Sequence, residues 1–229
     1  MTTLEIAQPP TLAAPERTSG LRRWASVLAM VVGPWGFVVV NLCYLLAIRD
    51  GGSDSTGAEA LALYAAHPTL VHLAVLAGPL ACILIVPAVL GWFRIAARSR
   101  AVVVGGSMMI AGYICYFAVL NSSLPILAMA LDPGPHGDYA RVIDAAQADP
   151  WGLWIFAIFA LGNIVGTAIL AVGLLLGRVV PIWAALAIGS WPVLHVIGLV
   201  FFGNEVPQVI GAVLQALGFA AGAVVRARQ

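Results

Sequence analysis

Apolar and polar positions along this chain fall in long blocks rather than in short periods. Six blocks stay apolar over about 20 residues or more: Trp24 to Ile48, Thr69 to Phe93, Ala101 to about Ala130, Trp151 to Leu176, Val179 to Phe201, and Val206 to Val225. About 20 apolar residues in a helix cross a hydrocarbon layer of about 30 Å. Each block therefore predicts one spanning helix. Pro125, near the end of the third, predicts a kink or an early exit, because proline lacks a backbone donor and its ring clashes with the carbonyl four residues back. Gly177-Arg178 alone separate the fourth and fifth blocks, which predicts a tight helical hairpin.

Two of the polar intervals carry structure of their own. Thr56 followed by Glu59 fits a capping box ahead of an Ala/Leu-rich run that ends at His67-Pro68. From Asp138 to Gln147, Tyr139, Val142, Ile143 and Ala146 recur at i, i+3, i+4 and i+7, and the run stops at Asp149-Pro150. Each predicts a short amphipathic helix lying on the outer leaflet. The order span, loop, short helix, proline, span occurs twice, about 80 residues apart, which suggests a degenerate parallel repeat of helices one-two and three-four. Duplication without transport gives the same pattern. Residues 1–20 are polar, contain Pro9-Pro10 and show no periodicity, so they read as a disordered cytoplasmic tail before a six-helix domain over 21–229. The fold class that follows is an all-α polytopic membrane protein, with six transmembrane helices and two short amphipathic helices in the outer loops.

Composition sharpens this. Of 229 residues, 62% are hydrophobic and 9% charged, whereas a soluble domain is about half apolar and about a quarter charged. That excludes an ordinary soluble enzyme and a disordered chain. The net charge of +1 comes from eleven Arg, ten acids and no Lys. A nucleic-acid partner is excluded, and so is lysine Schiff-base chemistry. With both termini cytoplasmic, the inner segments hold Arg17, Arg22, Arg23, Arg94, Arg98, Arg100, Arg178, Arg226 and Arg228, and the outer loops only Arg49 and Arg141. Nine against two sets the orientation by the positive-inside rule, with the plasma membrane as the expected location. Trp24, Trp92, Trp183, Trp151 and Trp154 fall at belt positions, while Trp35 and Trp191, beside Pro34 and Pro192, read as gap fillers at kinks. Cys43, Cys82 and Cys115 lie inside apolar runs and read as small buried hydrophobes.

Candidate chemistry rests on polar side chains inside the spans, since each costs free energy unless it has a partner. Counting about 1.5 Å per residue puts His72, His195 and Asn41 about 5 to 10 Å from the outer end, and Asn121 and Asn163 nearer the midplane. Glu205 closes the turn between the fifth and sixth spans. These six form the candidate ligand-binding set, and they predict a polar cavity that opens outward and narrows toward the middle. Depth alone brings His72 and His195 to one level, although packed, hydrogen-bonded histidines are the simpler reading. Asn163 lies within Gly162-Asn163-Ile164-Val165-Gly166, a small-xxx-small pattern that favours helix–helix glue. Gly218 and Gly222 repeat that spacing. Either pair serves the bundle interior or a homodimer. No metal set, cofactor motif or nucleophile–base pair is present, so no catalytic residue, metal or cofactor is assigned. Every acid is terminal, in a loop or at a boundary, which confines carboxylate chemistry to the outer mouth, at Glu205, Asp50 or Glu59.

Glu59-Ala60-Leu61-Ala62 leading to His67-Pro68-Thr69-Leu70, the arginine-rich turn from Arg94 to Arg100, and Arg178-Val179-Val180-Pro181-Ile182-Trp183 together resemble a domain-of-unknown-function family. Its members are small six-helix membrane proteins of high-GC Gram-positive bacteria. The resemblance covers most of the chain after residue 20 and brings no catalytic residues with it. In span content the chain is also similar to small integral-membrane terpene cyclases, whose acids inside the helices it lacks. The favoured expectation is a non-enzymatic binding, accessory or transport-related module that takes a small-molecule or lipid ligand from outside. The alternative is an intramembrane enzyme acting on a lipid or isoprenoid.

Overall fold

With no water in a bilayer core, an apolar segment must satisfy its backbone within itself, and a helix does so. The protein is described by a computed structural model covering residues 16–229. All the regular structure among these residues is helical, and six helical segments are long and apolar enough to span a membrane. The first span is α1 (Glu16–Ile48) and the second α3 (Pro68–Ile95), with the short α2 (Gly57–Ala66) between them. The third comprises α4 (Arg100–Asn121) and α5 (Ser123–Leu131). After α6 (His136–Ala148), the fourth runs through α7 (Pro150–Ala160), a π-helical stretch at Leu161–Gly166, and α8 (Thr167–Gly177). The fifth is α9 (Ile182–Ile197) continued by a π-helical turn at Gly198–Phe202, and the sixth is α10 (Val206–Ala227). The polar tail expected over 1–20 lies, as far as residue 15, outside the described residues; Glu16 to Gly20 already belong to α1.

The third span breaks where proline dictates. Pro125 cannot bond back to Asn121, and α4 gives way to α5 at Ser122. Local side chains absorb the disturbance: Asn121 Nδ2 donates to Phe117 O at 2.7 Å and Ser122 Oγ to Val119 O at 2.6 Å. Between the fourth and fifth spans, Arg178 ends α8 in the left-handed region, φ 49°, and Pro181 starts the next helix.

Sequence neighbours are spatial neighbours. α1 packs on α3, α3 on α4, α4 on α7 and α8, α8 on α9, α9 on α10, and α10 returns to α1, so the spans close a ring. Glycine lets α4 and the fourth span approach closely. A methyl group added at Gly162 would lie 2.3 Å from Met108 O and 2.6 Å from Gly112 Cα, and one at Gly166 would lie 2.9 Å from Gly105 O. Gly218 faces the Ala184 carbonyl of α9, and Gly222 meets the Trp92 ring. Both small-residue pairs therefore face neighbouring helices inside the bundle.

One end of the ring carries the start of α1 and the end of α10; α2 and α6 lie at the other. In the terminal half the interior is full. Trp92 is completely buried and meets Phe219 edge-on at 5.5 Å, with Met30, Leu174 and Ile188 around them. Trp92 thus belongs to the core rather than to the aromatic belt. Trp24, Trp151, Trp154 and Trp183 do lie exposed at the ends of their spans. Trp35 faces outward, 41% exposed, and fills no gap, whereas Trp191 is buried. Cys43 and Cys82 are buried and all three cysteines are free.

At the opposite end α2 and α6 pack on each other and α2 also packs on α5, through Leu61, Ala130, Ala140 and Ile143. Thr56 Oγ1 accepts from Glu59 N as the capping pattern predicts, but the Glu59 carboxylate takes Ser53 Oγ instead of closing the box. Gly57 N donates to Asp144 Oδ1 at 2.6 Å, tying the start of α2 to α6. The apolar stripe of α6 is Ala140 and Ile143; Val142 stays 61% exposed. The two short helices form one cap rather than two separate surface helices.

Candidate functional site

Beneath the cap, the half of the bundle opposite the chain ends is not filled. It holds a cavity of about 380 Å³, within the usual range for small-molecule sites. Each wall follows from helix periodicity. Phe37, Asn41 and Tyr44 stand at i, i+4 and i+7 on α1; Tyr113, Tyr116 and Leu120 at i, i+3 and i+7 on α4; Trp191, His195 and Leu199 run along the fifth span. Phe156 and Phe159 come from α7, and Val71, Ala74 and Val75 from α3. The rings pack against one another: Tyr116 stacks on Phe159 at 4.1 Å and Phe37 on Tyr113 at 4.3 Å.

The floor is a buried polar triad. Asn163 Oδ1 accepts from Tyr113 Oη at 2.7 Å and from Trp191 Nε1 at 3.0 Å, joining α4, the π-helical stretch and α9. The π-helical turn around Gly162 admits α4 closely enough for this contact. Asn163 is thus both glue and floor.

The mouth is acidic. Glu205 sits between the fifth and sixth spans, held there by Gly203 at φ 57° and by Asn204, whose Oδ1 accepts from Val206 N. It is 8% exposed and its side chain makes no capping bond to α10. Burial, and after it the charge of Asp54, pushes its carboxyl up to about 7. Asp54, from the loop before α2, lines the same cavity and accepts from Tyr44 Oη at 2.8 Å. Gln208 and His195 complete this upper wall, and His195 Nδ1 is buried without a hydrogen-bond partner.

Four of the six sequence candidates come together here: Asn41, Asn163, His195 and Glu205 all line the cavity. Asn41 spends its amide nitrogen on Phe37 O at 2.7 Å. His72 and Asn121 lie outside it. At about 100° per residue, His72 sits roughly 130° round α3 from the Leu70–Val75 lining face, and it is exposed on the bundle's outside. Asn121 is rotated by a similar angle from the lining face of α4 and is bonded within its own helix. Depth is right for both, and helical phase is wrong. Of the boundary acids, Asp50 pairs with Arg49 at the surface and Glu59 serves α2, so neither reaches the cavity. Asp54, Tyr44, Tyr113, Tyr116 and Trp191 do line it, although sequence reasoning did not select them as site residues. Their signal was the helical spacing just described, with Asn41 as the anchor for Tyr44. The wall is consequently more aromatic than the polar cavity expected.

Among the described residues no three His, Cys, Asp or Glu side chains converge on a metal position. No family model, curated protein or solved structure matches the chain.

One consequence of Glu205 is measurable in the folded protein itself. Its proton is held more tightly in the fold than in the unfolded chain, so this group's stabilising effect is complete below the ordinary carboxyl range. It is lost as pH rises through about 7. Asp54, Tyr44, Tyr116 and His195 face the same space. Melting temperature of the purified protein should fall between about pH 5 and about pH 8, and Glu205→Gln should flatten that fall. An equal fall in the variant would remove Glu205 as its source.

Proposed function

We propose that this protein is a multi-pass plasma-membrane protein that binds a small ligand in the cavity beneath α2 and α6, with that end facing outward. It is a non-enzymatic binding, accessory or transport-related module. The observation that carries the reading is the asymmetry of the interior: packed around Trp92 and Phe219 in one half, hollow around Tyr116 and Glu205 in the other. A bundle built only to pack would fill both halves, since voids forfeit dispersion contacts. Support for the orientation comes from the nine arginines of the terminal end against two at the capped end. Native mass spectrometry of the gently purified protein, with extraction of anything retained, tests the reading. A single small molecule carried through purification is the expected result, and its loss in Trp191→Ala would tie it to the cavity. A ligand that survives filling the cavity with Ala74→Phe would contradict it.

A second reading is favoured by one feature. Glu205 has its pKa near neutrality at the mouth of an aromatic cavity, which suits a general acid or base acting on a lipid or isoprenoid. That reading expects turnover to disappear in Glu205→Gln or His195→Ala while the fold is kept. Full turnover in both variants would end it.

A further inference from the structure

The cavity pairs an unusual mouth with an unusual wall. Asp54 and Glu205 both face it, while no arginine lines it and His195 is its one basic side chain. Glu205 is more than nine-tenths buried and accepts no hydrogen bond from any described residue; Asp54 has only the Tyr44 hydroxyl. Two like charges at a poorly solvated mouth oppose each other, and a cation placed between them removes that opposition. Below them the wall is lined by aromatic rings, among them Tyr116, Phe159 and Trp191. Aromatic faces attract cations within about 6 Å of the ring centroid.

From these two features we infer that the occupant of this cavity is an organic cation. A quaternary or substituted ammonium group would lie at the Asp54–Glu205 mouth, with an apolar body extending toward the Tyr113–Asn163–Trp191 floor. The inference rests on the cavity being a ligand site and adds its chemical class. A bare metal ion fits less well, because hard cations ask for about six or more oxygen ligands, and among the described residues no three His, Cys, Asp or Glu side chains converge on one position. An anion would meet two carboxylates and no arginine. A neutral apolar ligand would satisfy the aromatic wall but leave both acids uncompensated. The floor triad sets the inner limit: Tyr113 and Trp191 have already committed their donors to Asn163, so the deep end offers aromatic rings rather than free hydrogen-bond donors.

The test is calorimetric titration of the protein in nanodiscs at about pH 8, where Glu205 is charged, with empty nanodiscs as baseline. Three probes of matched shape are used: benzyltrimethylammonium, its uncharged carbon analogue neopentylbenzene, and phenylacetate. We expect saturable binding of the ammonium, at least about tenfold weaker binding of the neutral analogue, and none of the anion. Glu205→Gln and Asp54→Asn should each weaken the ammonium about tenfold while melting no lower than the parent protein at that pH, and together they should abolish it. Tyr116→Leu should weaken the ammonium more than the neutral analogue, which a purely structural role for that ring would not do. Equal binding of ammonium and neutral analogue, or unchanged affinity in the two acid variants, would overturn the cation assignment and leave an apolar ligand site. Absence of binding by either would overturn the assignment and count against the pocket reading as well.

Discussion

Gly162→Val is expected to abolish the folded bundle, and Gly162→Ala to lower its melting temperature by about 10 °C. The added Cβ would lie 2.3 Å from the Met108 carbonyl oxygen and 2.6 Å from Gly112 Cα. Both are backbone atoms, so no rotamer change relieves the clash. The third and fourth spans would have to separate along a seam that also contains Gly105 and Gly166. Overpacking of this kind costs about 3 kcal/mol, and in a chain of this size about 1 kcal/mol corresponds to roughly 2 to 4 °C. Gly137→Ala serves as control, because a methyl group there meets nothing within 4 Å. Thermal unfolding in detergent, followed by loss of the monodisperse peak, measures all three. An unchanged melting temperature in Gly162→Ala would mean that the two spans do not cross at this seam.

The second large effect is expected at the cavity floor. Asn163→Leu removes the one acceptor shared by the Tyr113 hydroxyl and the Trp191 indole, leaving two buried donors unpaired. Each such group costs about 1 to 3 kcal/mol, so the variant should lose about 2 to 4 kcal/mol of stability. Tyr113→Phe removes a donor instead of stranding one and should cost about 1 kcal/mol. Combined with Asn163→Leu, it should cost less than the sum, since the second change removes a donor that the first had orphaned. Strict additivity in this double-mutant cycle would contradict the triad.

The spans were legible because their signal is length and composition, which tertiary contacts cannot alter. Twenty apolar residues in succession leave the chain few alternatives in a bilayer, and the helix limits fall close to the apolar limits. The break at Ser122 was legible for the same reason, because Pro125 acts within one turn of itself. Legibility ended where helical phase mattered. His72 and His195 lie at similar depth, but only rotation about the helix axis decides which one faces inward, and a helix apolar all round carries little phase information. Asn121 shows a related limit: a polar group in a span can be consumed by its own backbone at a kink. The aromatic wall was written at helical spacing in Phe37–Asn41–Tyr44 and in Tyr113–Tyr116–Leu120, yet aromatic residues in a span read equally well as packing. Asp54 could not be found from sequence, since only the fold of the loop before α2 carries it over the cavity beside Glu205.

Reach into the cavity from one side of the membrane is the most direct measurement of the central claim. With Cys43, Cys82 and Cys115 replaced by alanine, single cysteines are introduced as Glu205→Cys at the mouth, His195→Cys on the wall, and Arg98→Cys in the turn at the other end. Intact cells are then treated with a membrane-impermeant maleimide. Labelling of the Glu205→Cys and His195→Cys proteins from outside is expected, blocked at His195→Cys by benzyltrimethylammonium, with Arg98→Cys labelled only after the cells are opened. Labelling of Arg98→Cys in intact cells, with the two cavity positions protected until the cells are opened, would contradict an outward-facing pocket.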